Sequence, residues 1–166
     1  MKKPNSLRDH LLSAIRELNR DPDRMLIFVD EGKIRCTMSS GLSFEYEYKL
    51  NLLLTDYAGE LDAVMIPLFD WIRTNQPELM ANLDKNKDSF KFEAVLQNND
   101  AVDLELSIPL TERVIVKRLD DGTLDIKFPD EPQYTRAEPA QPYRLLDKQG
   151  NVMAEWLSAE PGEQYF

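Results

Sequence analysis

One stretch constrains the fold more than any other. From Phe44 onward, Phe44, Tyr46, Tyr48, Leu50, Leu52 and Leu54 alternate with Glu45, Glu47, Lys49 and Asn51, and Thr55 continues the polar set. A period of two over this many residues specifies a β-strand with one apolar and one polar face. At about 3.3 Å per residue the strand runs for about 35–40 Å, well beyond the usual length. It is expected to overhang its own sheet, half solvated or half covered by a neighbouring subunit. Its apolar face needs a layer to bury it.

Two helical patterns supply that layer. Leu7, Leu11, Ala14, Ile15 and Leu18 recur at helical spacing, with Asn5 or Ser6 expected as cap and Asp9 completing a capping box, before Asp21-Pro22 ends the helix. The second runs from about Glu60 to Asn75, with Leu61, Val64, Met65, Leu68, Phe69, Trp71 and Ile72 on one arc. Pro67 inside it is expected to remove a hydrogen bond and bend it. Between them, Met25–Val29 reads as a strand buried on both faces. Asp30-Glu31-Gly32 reads as a turn, Lys33 to Met38 as a return strand, and Ser39-Ser40-Gly41 as a break. Phe90, Phe92, Ala94 and Leu96 pair as a hairpin with Val102, Leu104, Leu106 and Ile108 across Asn98-Asn99-Asp100. Asp120-Asp121-Gly122 and Gln149-Gly150-Asn151 mark two more hairpins. The order is that of an α+β fold, a mostly antiparallel sheet with two helices packed on one face.

At 166 residues the chain holds one domain of ordinary size plus an appendage. Residues 120–166 carry ten acidic and four basic side chains, and Pro129, Pro132, Pro139 and Pro142 fall in one polar stretch. The reading is therefore a core over residues 1–118 and an acidic, Pro-containing linker with a β-hairpin extension over 119–166. The net charge of -10 argues against non-specific binding to nucleic acid or to an anionic membrane.

The residues that usually carry chemistry are sparse. Cys36 is the one cysteine and His10 the one histidine, which excludes an internal disulfide and a multi-histidine metal site. His10 reads as a surface histidine and Cys36 as a small buried residue. Asp30 and Glu31 are explained by a turn, Glu60 and Asp62 by a helix start. Asp56 and Asp62 bracket a Gly-containing loop but lack a third ligand. Tyr46 and Tyr48 are interleaved with Glu45 and Glu47, which suits core packing rather than base stacking. No catalytic residue, cofactor site or metal site is assigned, and the reading is not that of an enzyme. What remains is surface for protein–protein assembly, and an acidic adaptor or inhibitor of a basic partner is the alternative.

Several segments in order resemble the tail completion protein R family of peduovirus-type contractile-tailed phages. They are Met1–Arg8, Asn19–Arg24 leading into Leu26–Gly32, Leu42–Tyr46 through Leu50-Asn51, and Thr55–Gly59. Pro67-Leu68, Trp71–Arg73, Asn75–Leu79, Phe90–Ala94, Asn98–Asp100, Leu110–Val114 and Ala154–Trp156 follow. The resemblance implies a structural virion protein of the tail, assembled in the bacterial host cytoplasm. Such a protein caps the head-proximal end of tail tube and sheath and allows head–tail joining. It also implies a tail-terminator-like fold and a ring, expected to be a hexamer. The implied partners are further copies of itself, the tube and sheath proteins, and a head-completion or connector protein, with no membrane. DNA is expected to pass through without being bound specifically. The candidate channel or subunit-interface face is the polar side of the long strand, Glu45, Glu47, Lys49 and Asn51. The preferred reading is that it lines the bore.

Overall fold

A computed structural model of the chain describes residues 1–37, 41–135 and 138–158. Helix α1 (Lys3–Ala14) and a short α2 (Arg16–Arg20) lead through a 3-10 turn at Pro22–Arg24 into β1 (Met25–Cys36) and β2 (Phe44–Tyr57). Helix α3 (Asp62–Asn75), the short α4 (Glu78–Ala81) and α5 (Leu83–Ser89) follow. Then come β3 (Lys91–Leu96), β4 (Val102–Arg118), β5 (Leu124–Lys127), β6 (Pro142–Leu146) and β7 (Val152–Leu157). The main sheet is antiparallel in the order β1-β2-β4-β3, with β5 pairing the far end of β4, and β6-β7 form a separate hairpin. This is the expected α+β class. The core lies where Leu7, Leu11 and Leu18 of the first helical segment and Val64, Leu68, Trp71 and Ile72 of α3 meet the sheet. Tyr48, Leu50, Leu52 and Leu54 of β2 and Leu104, Leu106, Ile108 and Leu110 of β4 form its floor. The alternation read from Phe44 to Leu54 thus has the physical cause assigned to it.

Residues 30–32 differ from the expected turn. Strand β1 continues through them and pairs β2 over its whole length, with a register shift between Asp30 and Lys33. Glu31 takes φ 48°, and one extra residue in β1 keeps Asp30 and Lys33, opposite Lys49 and Glu47, on the same face. Without the bulge, every later residue of β1 would switch sides. A matching bulge lies in β2 between Leu54 and Tyr57, at Asp56 (φ 52°), whose amide donates to Asp103 Oδ1 at 2.8 Å. Met25–Val29 is not buried on both faces, because β1 is an edge strand with Leu26 and Phe28 exposed. Met38, Ser39 and Ser40 of the expected return strand and break lie outside the described residues.

Strand β4 (Val102–Arg118) is also longer than the alternation of Val102, Leu104, Leu106 and Ile108 suggested, running unbroken through Pro109. Its ladder with β3 ends at Ser107 and that with β5 begins at Ile115, so Pro109 stands where β4 has a strand on one side only. Side chains fill the gap. Thr111 N–H donates to Gln76 Oε1 at 3.2 Å, Gln76 Nε2 donates to Thr111 Oγ1 at 3.0 Å, and Lys3 Nζ donates to the Thr111 carbonyl at 2.6 Å.

The expected cap of α1 is corrected as well. The helix begins at Lys3, so Asn5 and Ser6 lie inside it, and Ser6 Oγ instead accepts from Trp71 Nε1 at 3.0 Å. The N-terminal amides are satisfied from across the molecule. Lys2 N–H donates to Glu112 Oε2 at 2.7 Å, and Lys3 N–H donates to Glu112 Oε1 at 3.0 Å. A carboxylate from β4 therefore does what a capping side chain would do, at the end of the helix that favours negative charge. In α3, Pro67 leaves a gap in the ladder, and His10 Nε2 donates to the Pro67 carbonyl at 2.9 Å.

The β6-β7 hairpin lies against the helices. Ile15 forms a bridge with Ala154, Trp156 Nε1 donates to Asp70 Oδ2 at 2.9 Å, and Ala154 is fully buried. The start of the proline stretch is strapped down. Glu131 pairs with Lys3 at 2.8 Å, and Gln133 Nε2 donates to the Thr74 carbonyl at 2.9 Å.

Candidate assembly interface

The face of the main sheet turned away from α1 and α3 carries the candidate residues. Strand register places Glu45 between Arg35 and Arg113, Glu47 between Lys33 and Thr111, Lys49 between Asp30 and Pro109, and Asn51 between Phe28 and Ser107. Arg35 Nη2 lies 3.0 Å from Glu47 Oε2, and Lys49 Nζ lies 3.1 Å from Glu31 Oε1. The Glu31 carboxylate accepts from the Lys49 ammonium and raises its pKa. These pairs are solvated and contribute little to stability. They show that the face is not simply acidic, because bases from β1 and β4 flank the acids of β2. Sequence alone could not show this, since the flanking strands and their register come from tertiary pairing.

Glu45, Glu47 and Lys49 are partly exposed, as a surface role requires. Asn51 is not, being only 3% exposed, with its Nδ2 lacking a hydrogen-bond partner. It belongs to the interior of the face beside Phe28, and the expectation that it is exposed is corrected.

Beyond the helices the long strands form an arm whose inner face is apolar. Cys36 lies opposite Phe44, Phe44 opposite Val114, Ile34 opposite Tyr46, and Val116 opposite Ile126. The rings of Phe44 and Tyr46 meet edge to face at 5.0 Å. Ile34 is 66% exposed and Ile126 57%, so the rim of the arm presents aliphatic surface that the described residues leave uncovered. Cys36 is exposed at the end of β1 rather than buried.

The buried polar cluster at the root of the arm is Glu112, Tyr48, Lys3, Gln76 and Glu131. Tyr48 O–H donates to Glu112 Oε1, and burial together with that carboxylate pushes the phenol well above its ordinary range. Lys3 Nζ also donates to Gln76 Oε1 at 2.6 Å, and burial lowers the pKa of its ammonium against the opposing pull of Glu131. The hydrogen bonds of this cluster join α1, β2, the end of α3, β4 and the loop after β5, which gives it a structural role. His10 is half-buried rather than at the surface, and burial lowers its pKa. Among the described residues, no three His, Cys, Asp or Glu side chains are grouped so as to hold a metal ion. Among them, too, no helix is long and apolar enough to cross a membrane.

Comparison with known proteins places the chain in a family. The family model described as P2 phage tail completion protein R (GpR) matches residues 1–132. The tail completion protein R of Escherichia phage P2 is 38% identical over 156 residues, covering 94% of this chain and 99% of that protein. No solved structure matches the chain. With a family match over most of its length and a full-length relative at this identity, the chain belongs to the P2 phage tail completion protein R family, a component of the phage tail.

Proposed function

We propose that this chain completes the tail by capping the head-proximal end of the tube and sheath as a ring, a hexamer, and readies that end for joining to the head. The single observation that carries the reading is the arm. Its apolar rim, with Ile34 and Ile126 exposed beyond the helices, is a surface that a monomer has no reason to keep and an assembly would cover. The two helices on one face of an antiparallel sheet also suit a tail-terminator-like fold. A cap on a rotationally symmetric tube is served by head-to-tail contacts that close. The isolated protein is monomeric or weakly associated, held apart by its net charge of -10, and the ring forms on the tube end.

The helix-free face of the sheet lines the bore in this reading. Its alternation of Glu45 and Glu47 with Arg35 and Arg113 gives a lining that DNA passes without being held. The partners are the tube and sheath proteins on one side and the head-completion or connector protein on the other. The test is complementation. Tails made without the chain should be of irregular or excessive length and should not join heads. Purified chain added to them should restore joining, with new density at the head-proximal end only. Normal tails in its absence, or density elsewhere on the tail, would overturn the capping role.

A further inference from the structure

We infer that the ring closes by pairing the free edge of β3 in one copy with the free edge of β1 in the next, in a defined register. This rests on the ring proposed above and adds to it the surfaces and the alignment. Strands β1 and β3 are the two ends of the sheet order. An unpaired edge is a template for another strand, and proteins that remain monomeric blunt it with prolines or with a covering segment. The bulge of β1 falls between Asp30 and Lys33, just beyond Met25–Asp30, so the stretch available for pairing is regular. No proline interrupts β1 or β3, and every residue of β3 is exposed.

Strand β3 is also bare on the wrong face for a monomer. Phe92 and Leu96 lie on the helix-bearing side of the sheet, opposite Leu106 and Val102, yet are 63% and 78% exposed. Val95, on the other face, is 64% exposed. The helices cover β2 and β4 and stop short of β3. On the far edge the apolar residues Leu26 and Phe28 of β1 are also exposed. Apolar surface is thus unpartnered at both ends of the sheet.

Strand direction fits. Each neighbouring pair in β1-β2-β4-β3 is antiparallel, so β1 and β3 run in opposite directions. Placing the next copy's β1 beside β3 continues the antiparallel alternation with the same face toward the helices. Two copies related by a twofold axis would instead pair like edges and leave the other two edges open, whereas unlike edges repeat around a ring.

Chemistry then selects the register. A shift by one residue would turn each apolar face toward the polar one. Among the even registers, one sets Val95 opposite Leu26, Phe92 opposite Val29 and Lys91 opposite Asp30, joining apolar to apolar and opposite charges on one ladder. Moving two residues one way sets Glu93 against Asp30, a like-charge pair. Moving two the other way sets both Lys91 and Glu93 against apolar residues, Phe28 and Leu26, where the chosen register sets only Glu93 against Phe28, and it leaves Asp30 without Lys91.

The experiment is disulfide trapping in assembled tails, with Cys36→Ser as background so that the added cysteines are the chain's only ones. The test pair is Leu26→Cys with Val95→Cys, and the out-of-register control is Leu26→Cys with Glu93→Cys. Directly opposed strand residues have the separation that a disulfide needs, and diagonal ones do not. Oxidation of the test pair should give a ladder of multimers of this chain ending at the ring, at least about tenfold above the control. Should the test pair fail to fold, Phe28→Cys with Glu93→Cys reports the same register. Tails whose ends carry the ring but give no ladder with either in-register pair would overturn the edge pairing and leave the capping role standing. So would a ladder stronger in the control, or cross-links only to a tail protein of different mass. Tails with no copies of this chain at their ends would overturn the capping role itself.

Discussion

Replacing Glu112 with Gln tests the most consequential contact that sequence patterns did not reveal. The Glu112 side chain is buried, with its residue only 4% exposed, and its two oxygens accept from Lys2 N–H, Lys3 N–H and Tyr48 O–H. Glutamine has nearly the same shape but offers one oxygen and one NH2 group. Whichever way the amide turns, at least one backbone N–H at the start of α1 faces another donor. A hydrogen bond to a charged group contributes about 1.5–3 kcal/mol, and a negative charge at a helix N-terminus about 0.3–1 kcal/mol, up to about 2 when partly buried. Against this stands relief from burying a charge, which is itself worth a kilocalorie or more on the order-of-magnitude scale of buried ion pairs. The expected net loss is about 2–3 kcal/mol, or about 4–12 °C in Tm for a chain of this size. Equilibrium urea denaturation measures it, with an unchanged m value showing that the native state is intact. Tyr48→Phe in the same background should show coupling, because both changes act on one carboxylate. A Glu112→Gln protein within about 0.5 kcal/mol of the parent would refute the claim that this carboxylate caps the helix.

Further outcomes are expected. Trp71→Ala removes a buried indole and its bond to Ser6 and should cost about 3–5 kcal/mol, and Leu68→Ala about 2–5, both read by thermal melting; an unchanged Tm for Trp71→Ala would remove it from the core. Burial lowers the folded-state pKa of His10, so its contribution is complete above its unfolded value, about 6.5, and is lost as pH falls from there toward the folded value. His10→Gln should flatten the fall in Tm between about pH 7 and pH 5.5, and an identical slope in both proteins would contradict this. At Gly59 an added Cβ would come within 2.6 Å of the Tyr57 hydroxyl and 2.9 Å of Glu17 Oε2, so Gly59→Ala should destabilise by about 1–3 kcal/mol in urea titration, while no loss would show that the loop yields freely. Glu45→Lys with Glu47→Lys leaves Arg35, Lys33 and Arg113 facing added bases, so tails should be of normal length and joined to heads yet poorly infectious; overlong or headless tails would make this face an assembly contact instead of a bore.

Where one segment's own side chains decide its structure, the sequence was legible. The alternation of β2 follows from a sheet buried on one face, and the arc of α3 from the same layer seen at helical spacing. The β4-β5 and β6-β7 hairpins turn at Gly122 (φ 85°) and Gly150 (φ 87°), conformations that glycine adopts without strain, and Asp120-Asp121-Gly122 and Gln149-Gly150-Asn151 announce them. The family, too, could be recognised from segments in order along the chain. Other features depend on what lies opposite. Asp30-Glu31-Gly32 has the composition of a turn, and only its partner strand β2 makes it a bulge, because the register on either side has to keep Ile34 on the apolar face. Helix α1 starts before its expected caps because a carboxylate more than a hundred residues away accepts its first amides. Asn51 has the sequence position of a surface residue and is buried by the strands beside it. The bareness of Phe92 and Leu96 is the same lesson for the assembly surface. Their alternation specifies a strand with an apolar side, and only the reach of the helices, a property of the packed molecule, determines that this side is left uncovered.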